Sequence, residues 1–314
     1  MKVYIRRITA VLTLITALII VLFSISCKAT ASDSAFSVKF LSLTDGDCCL
    51  LNFPDGKVML IDTGDGTDYS NTLIKSSLKE IGATKIDYLI ISHPDTAHYL
   101  GTESVLSEYT IDKAYVPNIS NLNALPKYNG TITSLIDSGT KIENPLIGKY
   151  IVGENYKVAF LSPNYGESIN EFTESKLNNL SPIIYIEILG IRFILSGDAD
   201  ISQEQFIVDC YKSSIYNTLF KNIGGVNLSE IDFMMLGDGG SEKATSDEYL
   251  KLLTPKNAII SVAKNMYGSV SSKTISRLTE TSKNVNILRT DINGSIRVKI
   301  DNNKGYEIKT GETI

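Results

Sequence analysis

The chain has 314 residues, of which 43% are hydrophobic, so it is long enough for one large domain or two small ones with a substantial buried core. Its formal net charge is −5 at pH 7, and residues 1–31 carry four of the 30 basic residues and no acidic one, which leaves the remainder at −9. This composition argues against a disordered chain and against broad electrostatic binding of nucleic acid.

The N-terminal segment, residues 1–31, predicts export from the cytoplasm. A basic stretch, M-K-V-Y-I-R-R, precedes an uncharged and mostly apolar run from Ile8 through Cys27. The run is long for a cleaved signal and close to the roughly 20 residues that a helix needs to span a bilayer. Three outcomes stay open: cleavage after Ala31, lipidation of Cys27, or an uncleaved membrane anchor. Each places the chain from residue 32 onward outside the cytoplasm, either secreted or anchored to the cell membrane.

The chain after this segment begins as a strand-rich pattern. Short β runs at 37–43, 48–53 and 57–62 are separated by T-D-G-D and P-D-G-K, which are turn sequences. A helical stretch near 70–82 follows, and then a buried strand at 85–92.

The rest of the chain continues with mixed strands and helices. Helix-like spacing over 98–106 precedes a strand at 111–116, whereas 118–156 is rich in Asn, Ser and Gly and receives no assignment. Further strands are predicted at 156–163, 182–189, 192–198, 231–236, 257–262 and 285–289, helices at 201–213 and 246–253, and a final hairpin at D-I-N-G, residues 291–294. This order predicts an α/β protein in which two sheets pack face to face with helices outside, as a single domain over 32–314.

The three cysteines beyond the N-terminal segment indicate no disulfide and no zinc site. Cys48 and Cys49 are adjacent in a strand, where their side chains point to opposite faces, and Cys210 is distant in sequence. Zinc-type cysteine spacing is absent from the sequence. We expect all three to be small buried hydrophobic residues.

The chain contains only two histidines, and they lie five positions apart in I-I-S-H-P-D-T-A-H-Y-L-G. His93, Asp95 and His98 follow a predicted strand, and the carboxyl ends of strands are where α/β sheets place their chemistry. Imidazole is the commonest metal ligand and the usual acid–base group at neutral pH. The alternative is that two histidines happen to lie near each other in a polar loop.

A series of motifs in chain order resembles the metallo-β-lactamase superfamily, over about residues 36–300. The motifs are I-D-T-G at 61–64, S-H-P-D-x-x-H-x-x-G at 92–101, S-G-D at 196–198, L-G-x-x-G-S at 236–241 and R-T-D-x-N-G-S-I at 289–296. More narrowly, the chain is similar to the hydrolase domain of ComEC-type competence proteins. L-S-L-T-D-G-D at 41–47 replaces that group's L-D-V-G-Q-G-D, and N-N-L-S-P-I-I at 178–184 replaces its N-x-x-S-V-V. The resemblance implies a four-layer αββα sandwich.

The resemblance also implies a site for divalent metal between the sheets. Such a metal lowers the pKa of bound water and stabilises charge on a hydrolysed ester or phosphodiester. The positions that match metal ligands are His93, Asp95, His98, Asp198 and, as a further oxygen donor, Asp238. Of these, His98 and Asp198 are also the candidate catalytic residues. Asp62 of I-D-T-G is expected to order the neighbouring loop instead.

Three departures from the family pattern reduce this ligand set. Ala97 stands where the family has an aspartate, Gly239 where it has a histidine, and Ser269 where its Y-G-H-P motif has another histidine. A binuclear site is therefore not expected. If the chain binds metal, two imidazoles with one or two carboxylates suit a single zinc or manganese ion.

Two principal functions follow. The first is an exported metal-dependent hydrolase of the ComEC type, acting on a phosphodiester in nucleic acid or a nucleotide. The second is a catalytically inactive binding protein of the cell surface that keeps only the fold. A β-lactam or thioester hydrolase is a third reading, disfavoured because Asp95 replaces a motif histidine. The expected partners are the membrane, through the N-terminal segment, and the nucleic acid or nucleotide substrate, whereas the sequence indicates no protein partner.

Overall fold

The structure is a computed structural model that describes residues 36–164, 173–263, 270–303 and 305–311. The predicted export segment, residues 1–31, and Ser269 lie outside the described residues. The chain from Phe36 to Ile314 forms one compact unit. Within the described ranges, no helix combines the length and the apolar character that crossing a membrane requires.

The first sheet has eight strands. They are β1 (Phe36–Phe40), β2 (Cys49–Asn52), β3 (Val58–Ile61), β4 (Ile86–Ile90), β5 (Ile111–Tyr115), β6 (Lys141–Glu143), β14 (Ile296–Ile300) and β15 (Tyr306–Thr310). Their spatial order is β15-β14-β1-β2-β3-β4-β5-β6. Strands β3 to β6 run parallel, and the other neighbours pair antiparallel.

The second sheet has seven strands. They are β7 (Tyr150–Gly153), β8 (Tyr156–Phe160), β9 (Ile184–Ile188), β10 (Ile191–Leu195), β11 (Phe233–Met235), β12 (Asn257–Ile260) and β13 (Asn286–Arg289), in the spatial order β13-β12-β11-β10-β9-β8-β7. Strands β10 to β13 run parallel, and β7 to β10 pair antiparallel.

Helices connect the strands and cover the outer faces of both sheets. They are α1 (Asp68–Glu80), α2 (Thr96–Tyr99), α3 (Thr102–Leu106), α4 (Pro126–Asp137), α5 (Glu174–Asn178), α6 (Ile201–Lys212), α7 (Ile215–Leu219), α8 (Asp247–Leu253), α9 (Ser272–Thr281) and α10 (Thr290–Asn293). Short 3-10 turns cover Leu122–Ala124, Lys221–Ile223 and Asp238–Gly240. Thr67, Asp200 and Ser271 cap α1, α6 and α9 by accepting hydrogen bonds from backbone N–H groups of the first turn.

Three apolar cores define four layers. Between the sheets, alternate residues of both inner faces pack together, among them Phe40, Phe160 and Phe193. The outer face of the first sheet packs against α1, α3 and α4, and the outer face of the second packs against α6 to α9. The predicted αββα sandwich is therefore confirmed. Cys48, Cys49 and Cys210 are free and buried in these cores, as expected.

Two sequence-based assignments are wrong. The helix predicted over 98–106 is divided into α2 and α3. The hairpin predicted at D-I-N-G does not form, because these residues lie in α10 and its end, and α10 connects β13 of one sheet to β14 of the other. The actual hairpin joins β14 to β15, and its turn lies between Ile300 and Tyr306. The unassigned segment, 118–156, contains α4, β6 and β7. Their apolar stretches are short and lie between polar turn residues, so the sequence pattern does not reveal them.

Candidate metal centre

The residues of the candidate site follow the ends of strands in both sheets. Strands β3 and β4 pair in parallel with Ile61 opposite Ile90, so the residues that follow them meet at one edge of the first sheet. Asp62 directly follows β3, and Ser92 and His93 come two and three residues after β4. The S-G-D turn after β10 brings Asp198 to the same place from the second sheet.

Asp62 holds this edge together. Its carboxylate is 1% exposed and accepts hydrogen bonds from Ser92 N at 2.7 Å, from Ser92 Oγ at 2.7 Å and from His98 Nδ1 at 2.9 Å. Its backbone has φ of 61°, a conformation that Asp and Asn adopt more readily than most residues. The predicted ordering role of Asp62 agrees with these contacts, which link the I-D-T-G and histidine motifs.

The hydrogen bonds of Asp62 also set the tautomers of both imidazoles. A carboxylate only accepts, so His98 Nδ1 carries the proton of its bond to Asp62. Ser92 Oγ donates to Asp62 and lies 3.0 Å from His93 Nδ1, so it accepts the Nδ1 proton of His93. Ser181 Oγ lies on the same side of His93, 3.3 Å from Nδ1. When both rings are neutral, each Nε2 atom is left with its lone pair free.

Both Nε2 atoms face one oxygen of Asp198. The distance to Asp198 Oδ2 is 3.5 Å from His93 Nε2 and 3.4 Å from His98 Nε2. His93 is 1% exposed, and its Nε2 atom is buried without a hydrogen-bond partner. A buried lone pair that faces a carboxylate oxygen is unfavourable unless a cation lies between them.

These atoms fit a divalent metal. His93, His98 and Asp198 each offer a ligand atom within 4.8 Å of the others. Metal-ligating histidines typically hold the second ring nitrogen in a hydrogen bond to a carboxylate or another polar group, as both rings do in this site. The donor set of two imidazole nitrogens and a carboxylate oxygen suits zinc, manganese or iron.

The charges around the site separate the two imidazoles. Burial and the neighbouring His98 lower the pKa of His93 to about 4, so this ring is neutral at neutral pH. Burial also opposes charge on His98, but the carboxylates of Asp198 and Asp62 raise the pKa of this ring well above its usual value. Although burial disfavours its charge, Asp198 has its pKa lowered to about 2, mainly by His98. Without metal, a proton on His98 therefore screens the carboxylates, and a metal ion would compete with it.

Two of the five predicted ligands lie outside this cluster. Asp95 is exposed and caps α2, accepting a hydrogen bond from Ala97 N at 2.9 Å. Asp238 is half-buried and accepts a hydrogen bond from Ser241 Oγ. Burial raises the pKa of Asp238, and the charge of Asp198 contributes to that rise. The structure thus brings together three of the five predicted residues, and the ligand roles of Asp95 and Asp238 stay predictions.

Sequence reasoning did not identify Asp47 as part of the site. Asp47 is 9% exposed and forms a second group of possible ligand atoms with Asp62 and His98, all within 4.8 Å of one another. Burial raises the pKa of its carboxyl to about 7. Asp47 lies in the T-D-G-D stretch, whose sequence is typical of a turn. Only its position in the L-S-L-T-D-G-D motif could have indicated that it belongs to the site.

A cleft between the sheets adjoins the centre. Its polar side is lined by Asp47, Asp62 and Ser92. Phe40, Leu195 and Met235 are among the residues of its apolar side. Such a combination of apolar walls and a few convergent polar groups is typical of ligand sites.

Comparisons with known proteins agree with this architecture. A family model described as "Metallo-beta-lactamase superfamily" matches residues 42–148. ComE operon protein 3 of Bacillus subtilis (strain 168) is 26% identical over 285 residues, which cover 85% of this chain and 33% of that protein. Competence protein ComA of Neisseria gonorrhoeae is 22% identical over 240 residues, which cover 76% and 29% respectively. The chain thus spans about a third of the length of these curated relatives.

Among solved structures, CmlA, a diiron beta-hydroxylase from Streptomyces venezuelae, matches with a TM-score of 0.49 and 13% identity, over 85% of this chain and 54% of that one. The two stacked sheets, the order of the motifs and the sequence matches lead to one conclusion. The chain has the metallo-beta-lactamase fold and is similar in sequence to ComEC-type competence proteins.

Proposed function

We propose that this protein is an exported, metal-dependent hydrolase of phosphodiesters in nucleic acid or nucleotides. One observation carries the proposal. The Nε2 atoms of the only two histidines lie 3.5 and 3.4 Å from the same oxygen of Asp198, and His93 Nε2 has no hydrogen-bond partner. A divalent metal bound there would act as a Lewis acid and lower the pKa of a coordinated water towards neutrality.

The residues around the metal ligands would keep the site in a binding-competent geometry. Asp62 holds the ring of His98 through Nδ1, and Ser92 and Ser181 hold the ring of His93 through its own Nδ1. Both Nε2 atoms are then directed at the metal position before metal binds. Because the rings need little reorganisation on binding, more of the interaction energy contributes to affinity.

The substrate class rests on the resemblance to ComEC-type proteins and on the chemistry of the site. A metal held by imidazoles and a carboxylate stabilises the negative charge that develops on a phosphodiester during hydrolysis. Export is supported by the basic and apolar composition of residues 1–31. The acidic charge of the remaining chain favours a short substrate over a long polyanion, because only local contacts at the site would attract it.

A catalytically inactive binding protein is the second candidate. Ala97 has only a methyl group where the family has a carboxylate, and Gly239 cannot replace a histidine. Asp95, a further predicted ligand, is engaged as a helix cap. Metal content separates the two candidates before any substrate is chosen.

The test uses the purified full-length chain, prepared in metal-replete buffer. Elemental analysis should find about one zinc or manganese ion per chain if the site is a working centre. Hydrolysis of bis(p-nitrophenyl) phosphate with added Mn²⁺ or Zn²⁺ should fall at least about 100-fold in His98→Ala and in Asp198→Ala, because even outer partners of a metal commonly contribute about 10–100-fold.

Asp137→Asn is the matched control, since Asp137 is exposed at the end of α4. This variant should keep its metal and its activity. Activity that is unchanged in both His98→Ala and Asp198→Ala would refute the proposed hydrolase. Far less than one metal ion per chain, together with no turnover, would favour the binding protein.

A further inference from the structure

Asp47 reaches the candidate metal centre from an element that carries none of the predicted ligands. It ends the T-D-G-D loop between β1 and β2, whereas both histidines follow β4. Its side chain is buried at 9% exposure, with a carboxylate oxygen within 4.8 Å of ligand atoms of Asp62 and His98. The loop thus places a buried carboxylate beside Asp62 and His98.

The same loop occupies the space beside position 97. Gly46 packs directly onto Ala97: a Cβ atom at Gly46 would lie 1.7 Å from the carbonyl oxygen of Ala97 and 2.8 Å from its Cβ. The backbone of Gly46 has φ of 71°, which glycine adopts without strain. This contact holds the loop of Asp47 against the turn that carries Ala97 and His98.

The charges in this region call for a cation. Asp47, Asp62 and Asp198 are three carboxylates close to two imidazoles, and across the described ranges none of them forms an ion pair with a lysine or an arginine. Buried carboxylates without a compensating cation are costly. A proton on His98 compensates part of this negative charge, and the partnerless His93 Nε2, directed at Asp198, independently indicates a place for a further cation.

Asp62 does not fill this role, because its oxygens already accept three hydrogen bonds, from Ser92 N, Ser92 Oγ and His98 Nδ1. Asp47 has no such set of donors from the histidine turn, and its side-chain donor is Ser261. It is the carboxylate that remains available on this side of His98.

We propose that Asp47 is a metal ligand that adds a carboxylate to this centre from the β1–β2 loop. This inference rests on the proposed function and adds Asp47 to His93, His98 and Asp198; His98 is the residue that the two groups of possible ligand atoms share. Two imidazole nitrogens and two carboxylate oxygens form a donor set that suits zinc, manganese or iron.

The test measures metal binding alone. The full-length chain is stripped with a chelator and titrated with Co²⁺ or Zn²⁺ in competition with a chromophoric chelator, and the visible absorption of bound Co²⁺ reports the ligand set. Asp47→Asn, which keeps the size of the side chain, should weaken binding by at least about 10-fold and change the Co²⁺ spectrum. Asp45→Asn is the matched control, because Asp45 belongs to the same loop and is exposed. It should bind within about twofold of the unsubstituted chain.

The outcomes separate this inference from the proposed function. If Asp47→Asn binds Co²⁺ with unchanged affinity and spectrum while His98→Ala and Asp198→Ala lose binding, Asp47 is not a ligand and the hydrolase proposal stands. If the unsubstituted chain binds no Co²⁺ or Zn²⁺, both proposals fail. Asp47→Ala provides a second removal of the carboxylate, and circular dichroism establishes that each variant is folded before its affinity is compared.

Discussion

Asp62→Asn tests the idea that one carboxylate organises the metal centre without binding metal. Asparagine has nearly the same size as aspartate and tolerates the positive φ of 61° at this position, so the change removes charge and one acceptor oxygen with little backbone strain. The amide can still accept the bond from Ser92 N. It cannot reproduce the oxygen that takes both Ser92 Oγ and His98 Nδ1.

The expected magnitudes follow from those bonds. Two hydrogen bonds to the charged Asp62 are affected, from Ser92 Oγ and His98 Nδ1, and each contributes about 1.5–3 kcal/mol. The amide can reorient and recover part of one of them. We therefore expect the metal-free chain to lose about 1.5–3 kcal/mol of unfolding free energy. If the amide NH₂ group faces His98, the ring proton moves from Nδ1 to Nε2, the atom that faces Asp198. Metal affinity should then fall by about 10–100-fold.

The assay combines urea unfolding in EDTA with a chelator competition for Zn²⁺. Asp137→Asn is the control, since it makes the same chemical change at an exposed position. Imidazole NMR signals add a direct readout, because the chain has only two histidines and each signal has a single source. A variant with normal stability, normal Zn²⁺ affinity and an unshifted His98 signal would refute the orienting role of Asp62.

Three further predictions use the same preparations. In the metal-free chain, NMR should show His93 titrating near pH 4 and His98 titrating well above pH 6.5. Because the folded pKa of His98 is raised, the stability that His98 contributes is present below its unfolded pKa and is lost as the pH rises through its folded pKa. A His98→Gln variant that still loses this stability at alkaline pH would contradict the assignment. Gly46→Ala should destabilise the chain more than Gly56→Ala. Both sites have positive φ, which costs about 1–2 kcal/mol in an L-residue, but a Cβ at Gly46 would meet backbone atoms, whereas a Cβ at Gly56 would meet nothing within 4 Å. Equal losses of unfolding free energy in urea would show that the loop does not pack tightly against Ala97. Asp95→Asn should keep the cap of α2 and leave Zn²⁺ affinity unchanged, whereas Asp95→Ala should lower the unfolding free energy by about 1 kcal/mol. A loss of Zn²⁺ affinity in Asp95→Asn would instead establish Asp95 as a ligand.

Much of the architecture could be predicted from local sequence patterns. Apolar runs between turn residues located most strands of both sheets, because each buried strand needs a short apolar segment whatever its partners are. The D-I-N-G prediction failed for a physical reason: Asn-Gly favours a hairpin, but β13 and β14 belong to different sheets, so α10 forms there instead. The split between α2 and α3 was also not visible in the helical spacing of 98–106.

By itself, the sequence determined that two imidazoles lie on a turn after a buried strand, and its motif order indicated that Asp198 would join them. Only the tertiary structure decided which atoms face the centre, because hydrogen bonds from Asp62 and Ser92 fix the two rings and direct both Nε2 atoms at one carboxylate oxygen. It also turned Asp95 into a helix cap and brought Asp47 beside His98. Those placements depend on how strands far apart in the chain stack across the core, and no local periodicity encodes that convergence.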